Sequence, residues 1–583
     1  MISFPSSPLV ARPILGPLLQ IVSIYGATWV GWKLLRKLLS NSPLDNLPGP
    51  PGGSWSEGHF GQFWSYTGWA FHKELAEKYG PVSKLRGPFG ETIMYVYDPK
   101  ALHHIIVKDQ QIFEETPGFL IGMDAIFGKN LFSTTGEAHR RQRKMMNPVF
   151  SIAHMRGLKP QAFSIWLTCK IEQLRDTFVQ KMENGPQEVD MEDWLTRTAL
   201  ELVGQSGLGF SFDPLTEDGE QHHYSHSVKN FIPVGDKLMI ARHFILPLVY
   251  NIGTPRFRRW VVNTLPWKNL HELRDIVDVM QDTAVEIVES KKRAIAAGDE
   301  AILQQVGKGN DIISILIKEN MKASEEDKLP DDELIGQVSS LTFAAMDTTS
   351  NALCRTLYVL CERQDAQDRL RAEIRAARRK IGGSELGYDE LVSLPYLDAV
   401  CRETLRLYPP VSTVVREYVI ASKIVNRFTH SLFSKRARED IILPFSKPIR
   451  GKDGTEMHEV LVPKGTTVFP SLLSSNRNPD VWGPDADEWK PERWMDGLPD
   501  SVAEARIPGI YSHLMTFIGG SRACIGFKFS QLEMKIVLCV MLDKFKFSLP
   551  KDRKIFWRMT GIVSPSIEGG SKAEMPLIVS PAE

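Results

Sequence analysis

The chain has 583 residues, 43% of them hydrophobic and 24% charged, with 70 Lys and Arg against 70 Asp and Glu. A large core can be buried, which excludes global disorder, and a formal net charge of zero argues against a dedicated nucleic-acid binder. The six cysteines, at 169, 354, 361, 401, 524 and 539, include no Cys-x-x-Cys pair, so no disulfide framework is expected and a reducing compartment fits.

Residues 14–32 (ILGPLLQIVSIYGATWVGW) carry no charge. At ~1.5 Å rise per residue such a helix just spans a bilayer core, and Pro17 and Gly26 are tolerated in that setting. Lys33, Arg36 and Lys37 follow, against Arg12 before, which places the C-terminal bulk on the cytosolic side. A cleaved signal peptide is disfavoured by the weak n-region and the absence of a small-residue cleavage site. Residues 1–40 are therefore expected to be a single-pass anchor. Residues 41–53, ending in Pro48-Gly49-Pro50-Pro51-Gly52-Gly53, are expected to be a stiff linker, and 54–583 one large domain.

Helical periodicity dominates that domain, over 161–183, 270–297, 332–363 and 364–380. Thr92–Tyr97 and Glu459–Val462 read as strands. The predicted class is mainly α with a small β-rich part. His139-Arg140-Arg141-Gln142-Arg143 is a basic helical stretch. In Ala344-Ala345-Met346-Asp347-Thr348-Thr349, Thr348 follows Ala344 by four, so a small side chain and a hydroxyl share a face. The small residue leaves room beside the helix, and Asp347 and Thr348 offer an acid and a hydroxyl for proton delivery. Glu403 and Arg406 are helix neighbours. Arg416 follows the largely β-branched run 411–415, and Arg493 lies in Pro491-Glu492-Arg493-Trp494.

The most informative stretch is Phe517-Ile518-Gly519-Gly520-Ser521-Arg522-Ala523-Cys524-Ile525-Gly526. One cysteine sits in a glycine-rich turn before a long apolar segment. The glycines allow a tight fold under a flat cofactor. Backbone N–H groups can stabilise a thiolate, and Arg522 can reach a carboxylate of that cofactor. With Phe517, Gly520, Arg522, Cys524 and Gly526 in place, the stretch resembles the haem-binding signature Phe-x-x-Gly-x-Arg-x-Cys-x-Gly of the cytochrome P450 family.

The resemblance runs from Pro48 to the C-terminus and implies that family's mostly helical fold, with haem b between two long helices and Cys524 as the iron ligand. It implies oxygen activation by Asp347 and Thr348 beside Ala344 and Ala345, the latter where glycine is more usual. Glu403, Arg406 and Arg493 would form a buried structural network. His139, in place of a tryptophan, together with Arg143 and Arg416 would meet the haem propionates. The implied reaction is hydroxylation or epoxidation of a lipophilic small molecule with O₂. No nucleotide-binding Gly-x-Gly-x-x-Gly loop is present, so NADPH electrons would arrive through a separate diflavin reductase, with cytochrome b5 as a further donor. The reductase would dock near Arg140, Arg141, Lys144 and Lys528. Microsomal members share the anchor and proline-rich elbow, which implies the endoplasmic reticulum membrane, and the motifs resemble fungal members, where secondary metabolism is one setting.

Largely apolar stretches at 113–129, 231–250, Phe343 and Ala344, 411–415, Ile562 and Val563 correspond to substrate-contacting regions. The run 244–250 could also dip into a membrane surface. Rival readings are a reductase-independent haem-thiolate isomerase or dehydratase, and a non-catalytic haem-binding protein. Residues 418–436 (YVIASKIVNRFTHSLFSKR) have no counterpart in the family pattern. They are either the translation of a retained intron or a real surface loop, which costs little in entropy.

Overall fold

The computed structural model describes residues 42–151, 162–306, 311–418, 440–559, 561–570 and 572–582, with Thr28 and Gly309. The expected anchor at 14–32, apart from Thr28, and positions 419–436 of the atypical segment lie outside the described residues. Among the described residues no helix is long and apolar enough to cross a membrane.

The helices and strands that frame the site, in chain order, begin with α1 (Trp69–Tyr79), β1 (Val82–Arg86), β2 (Thr92–Val96), β3 (Phe113–Glu114), α2 (Pro117–Phe127), α3 (Gly136–Met146) and α4 (Ala162–Lys181). They continue with β4 (Gln187–Asp190), α5 (Met191–Val203), α6 (His223–Lys229), α7 (Lys268–Ala297), α8 (Asp331–Glu362), α9 (Gln364–Lys380), α10 (Pro395–Leu407), β5 (Arg416–Tyr418), β6 (Ile441–Arg450), β7 (Glu456–Val462) and β8 (Thr467–Pro470). The last are α11 (Phe527–Lys544), β9 (Phe545–Ser548), β10 (Ile555–Arg558), β11 (Ser564–Ile567) and β12 (Pro576–Pro581).

Helix α8 is the axis. It starts after Pro330 with Asp331, Asp332 and Glu333 in its first turn, acids that complement the partial positive charge of a helix N-terminus. Its 32 residues make it about 48 Å long. Helices α5, α7, α10 and α11 pack against it, and the buried faces of α8 and α11 share one core with α4, α9 and α10. A second core, of α2, α5, α6 and α7, closes over the other side of α8. The helices at 162–181, 268–297, 331–362 and 364–380 fall within two residues of the ranges read from periodicity.

The strands are less scattered than the sequence suggests. Five of them form one sheet in the order β1-β2-β8-β5-β3. All its neighbours are antiparallel except β2 and β8, which run parallel with Ile93 opposite Thr467. Phe113 pairs with Tyr418 and Glu114 with Glu417, so Tyr418, the first residue of the atypical segment, belongs to the sheet. That sheet brings the 113–114 and 416–418 segments side by side although some 300 residues separate them in sequence.

The 41–53 segment is not a free linker over its described part. Leu44 and Leu47 are fully buried, and the Lys84 N–H donates to the Pro48 carbonyl (2.7 Å). A Cβ on Gly49 would stand 2.0 Å from the Lys84 carbonyl oxygen, so only glycine allows this approach. Composition alone did not reveal the packing, because two leucines among prolines suffice to dock the chain.

Candidate active site

The cysteine turn lies between a short 3₁₀ turn (Met515–Phe517) and α11. The Cys524 N–H donates to the Phe517 carbonyl (3.0 Å). Gly520 has φ +68°, and a Cβ there would meet the Ile106 carbonyl oxygen at 2.1 Å. A side chain would be both strained and obstructed. Burial pushes the Cys524 thiol up, while the Gly526 N–H and the nearby Arg143 guanidinium act the other way and favour the thiolate.

Arg143 of α3 donates to the Ala523 carbonyl (2.7 Å) and to Asn147 Oδ1 (3.0 Å). It therefore ties α3 to the cysteine turn. His139, one turn earlier, is buried and is held neutral, down to about 4, by burial and then by Arg522. Arg522 donates to the carbonyls of Leu131 (2.8 Å) and Thr134 (2.7 Å). It also pairs with Glu114 (3.2 Å) and Glu115 (3.1 Å). Arg416 pairs with Glu115 (3.3 Å). The four expected propionate residues thus converge on one side of the turn. Glu114 and Glu115 join them, and the sequence reading missed both. Two adjacent carboxylates in the otherwise apolar run Ile112-Phe113-Glu114-Glu115-Thr116-Pro117 were the signal.

On α8, the Thr348 hydroxyl donates to the Ala344 carbonyl (2.8 Å), which confirms their shared face and satisfies a poor helix former locally. Burial, and after it Glu192 of α5, raise the Asp347 carboxyl to about 7. Glu192 pairs with Lys229 of α6 (3.0 Å), which pulls the other way. These two residues also escaped the sequence reading, because nothing local links them to Asp347. Thr349 lies beside the buried Glu533 of α11, whose carboxyl burial raises well above its ordinary range.

Asp347 and Cys524 combine deep burial with accessible surface. Groups that are both deep and accessible face an internal space. Ile525, beside the cysteine, and Phe343 and Ala345 of α8 border one apolar cluster, so the turn and α8 bound that space from two sides. Phe127, Phe231 and Phe343, which belong to that cluster or pack on it, form an aromatic triad, with ring centroids 5.7, 5.3 and 4.9 Å apart. A soft donor in the glycine turn, small residues with an acid and a hydroxyl on α8, and arginines beside the turn fit a flat, apolar, doubly carboxylated group with a central metal.

The signature family accounts for this arrangement. A model of the family described as Cytochrome P450 matches residues 48–429 and 442–569. The chain belongs to the cytochrome P450 family. It is 49% identical over 560 residues to cytochrome P450 monooxygenase 91 of Postia placenta, covering 96% of this chain and 98% of that one. Monooxygenase 212 of the same fungus is 46% identical over 553 residues, covering 95% of this chain and 96% of the relative. Ganoderic acid synthetase of Ganoderma lucidum is 40% identical over 564 residues, covering 96% and 98%. Two of these relatives are named as monooxygenases, and the family implies an oxidoreductase with haem held by a cysteine thiolate, a redox partner and a small-molecule substrate.

The P450 fold also shows the expected charge network beneath the site. Arg406 donates to both Glu403 oxygens (2.9 and 2.8 Å) and to the carbonyls of Asn476 (2.9 Å) and Ala486 (2.6 Å). Arg493 approaches Glu403 (3.5 Å) and Asp485 (2.8 Å), and Trp494 Nε1 donates to Glu403 (2.9 Å). The expected docking charges are less free than the sequence implies. Arg141 is paired inward with Glu333 (2.7 Å), Lys144 with Asp327 (2.6 Å) and Arg140 with Glu137 (2.9 Å). The acids lie in α3 itself and near the start of α8.

Proposed function

We propose that this P450 hydroxylates or epoxidises a lipophilic small molecule, with haem b held by Cys524 and electrons passed from NADPH by a separate diflavin reductase. The observation that carries the reading is the deep yet accessible Cys524 in its glycine turn, with the adjoining Ile525 packed on the same apolar cluster as Phe343 and Ala345 of α8. When bound, cysteine-ligated haem supplies O₂ activation, because the thiolate pushes electron density towards O–O cleavage.

The chain's own residues supply the rest. Gly526 N–H and Arg143 support the thiolate charge. Arg416, Arg522, Arg143 and His139 orient the cofactor through its carboxylates. Ala344 and Ala345 leave a notch in which a small ligand fits. Asp347, near neutrality, holds a proton at its carboxyl, and the Thr348 hydroxyl passes protons on. Phe127, Phe231 and Phe343 exclude water and favour an apolar, ring-bearing substrate. The relative named ganoderic acid synthetase supports a role in secondary metabolism. The exposed side chains of Ile245, Leu248, Val249, Ile252 and Trp260 support attachment to the endoplasmic reticulum membrane alongside an N-terminal anchor, with the catalytic domain cytosolic. Cytochrome b5 would serve as a second electron donor.

The test is metabolite profiling of reductase-bearing yeast that expresses the chain. Oxygenated lipophilic products should appear, and Cys524→Ser should remove them. Products that persist in the variant would overturn the reading.

A further inference from the structure

Glu114 ends β3, and its neighbour β5 begins with Arg416. From the other side the cysteine turn brings Arg522. Arg416 reaches Glu115, and Arg522 reaches both glutamates. One oxygen of each carboxyl group lies against the same Arg522 nitrogen, at 3.2 and 3.1 Å. Two carboxylates gathered at one cation repel each other, and a proton on either one removes that repulsion. All four side chains are largely buried. His139 and Arg143 of α3 complete the charged surroundings, His139 being neutral above about pH 4.

Charge counting makes this pair consequential. Arg416 and Arg522 face two carboxyl groups, whereas Arg143 turns to Asn147 and the Ala523 carbonyl, so the charges of the paired cluster already balance when ionised. A cofactor with two propionates adds two negative charges at the same arginines. In a region of low dielectric that excess is costly, and a proton is the cheapest remedy. On the reading that this chain binds haem through Cys524, we propose that Glu114 and Glu115 form a proton-holding carboxyl pair that adjusts to the propionates at Arg416 and Arg522. Cofactor binding then draws a proton from solvent onto the pair. Burial already raises the Glu114 carboxyl and Glu115 adds to it, whereas Glu115, despite its burial, is held low by Arg416 and Arg522. Glu114 is therefore the member that takes the proton.

The sign follows from linkage. The propionates raise the carboxyl's affinity for a proton, so the bound form holds more protons than the free form, and affinity for haem falls as pH rises through that window. The experiment follows haem capture by excess apomyoglobin from the haem-loaded full chain between pH 6.5 and 8.5. Release from the wild type should accelerate with pH, by up to about tenfold per unit. In Glu114→Gln the profile should flatten, with slower release than wild type at pH 8.5. Equal slopes in both proteins, or faster release from the variant throughout, would overturn the proposal. If Glu114→Gln loads no haem, the wild-type chain still decides. Its haem midpoint potential should fall as pH rises, and a flat line refutes the pair. The reduced carbon monoxide spectrum separates the two levels. A wild-type chain without a thiolate-type band overturns the haem-thiolate reading and the proposal with it, whereas a chain with that band and pH-independent release overturns the pair alone.

Discussion

Two arginine–glutamate clusters flank the cysteine turn, and they are built on opposite principles. Around Glu403 every charge is matched. Arg406 divides its donors between one carboxylate and backbone carbonyls, and Glu403 also accepts from Trp494 and from the Lys490 N–H (3.0 Å). Around Glu114 and Glu115 two carboxyl groups share the Arg522 guanidinium, and the geometry leaves Glu115 Oε2 without a well-directed hydrogen bond among the described residues. The first cluster is a closed lock. The second has room to change protonation. A buried ion network with every donor and acceptor occupied fixes structure, whereas a network with like charges in contact responds to what binds beside it.

Five variants test that contrast, ranked by their effect on the fold. The largest belongs to the lock. Arg406→Ala strands Glu403 in the core and should cost about 3–5 kcal/mol, seen as loss of haem-loaded protein per total protein and a lower denaturation midpoint. If this variant loads haem as the wild type does, the lock is not structural.

His139 gives the next effect, one of pH. Its folded-state value of about 4 lies below the ordinary 6.5, so the unfolded chain binds more protons between the two. Stability is full above the upper value and declines as pH falls through the lower, by up to about 3 kcal/mol. His139→Gln should remove this part of the acid sensitivity in urea titrations at pH 4.5 and 7. Equal losses in both proteins would show that the imidazole is not responsible.

At the open cluster Arg416→Gln should cost less, about 1–2 kcal/mol, because Glu115 keeps Arg522 and Glu114 can carry a proton. A loss as large as that of Arg406→Ala would erase the distinction between the clusters.

The smallest effect on stability, and the clearest on chemistry, comes from the acid–alcohol pair. Thr348→Ala should melt like the wild type but lose about tenfold or more in product formed per NADPH, the electrons appearing as peroxide. Asp347 titrates near 7, so its proton supply falls as pH rises through that value, and Asp347→Asn should flatten the alkaline decline in coupling. Unchanged coupling in both variants would remove the pair from the mechanism.

Local spacing carried much of this architecture. The Phe517–Gly526 signature, the Ala344–Thr348 face and the Glu403–Arg406 pair depend on neighbours within ten residues, and the backbone places such neighbours almost independently of the rest of the fold. The periodicity of α8 marked its ends to within a residue. The same logic failed where composition stood in for contact. Residues 41–53 read as a linker, yet Leu44, Leu47 and Gly49 pack on the domain, and Arg141 and Lys144 read as docking charge and are paired with acids near the start of α8.

By itself the amino-acid sequence determined which cysteine sits in the turn, which helix carries the acid and hydroxyl, and that the chain is mainly helical. Only the tertiary structure decided which charges meet. Glu114 and Arg522 are 408 positions apart, and Glu192 reaches Asp347 only because α5 packs on α8. A buried charge selects its partner from the segments that burial brings into range, because desolvation makes any unpartnered alternative costly. That selection belongs to the packed core as a whole, not to any stretch of residues short enough to form a motif.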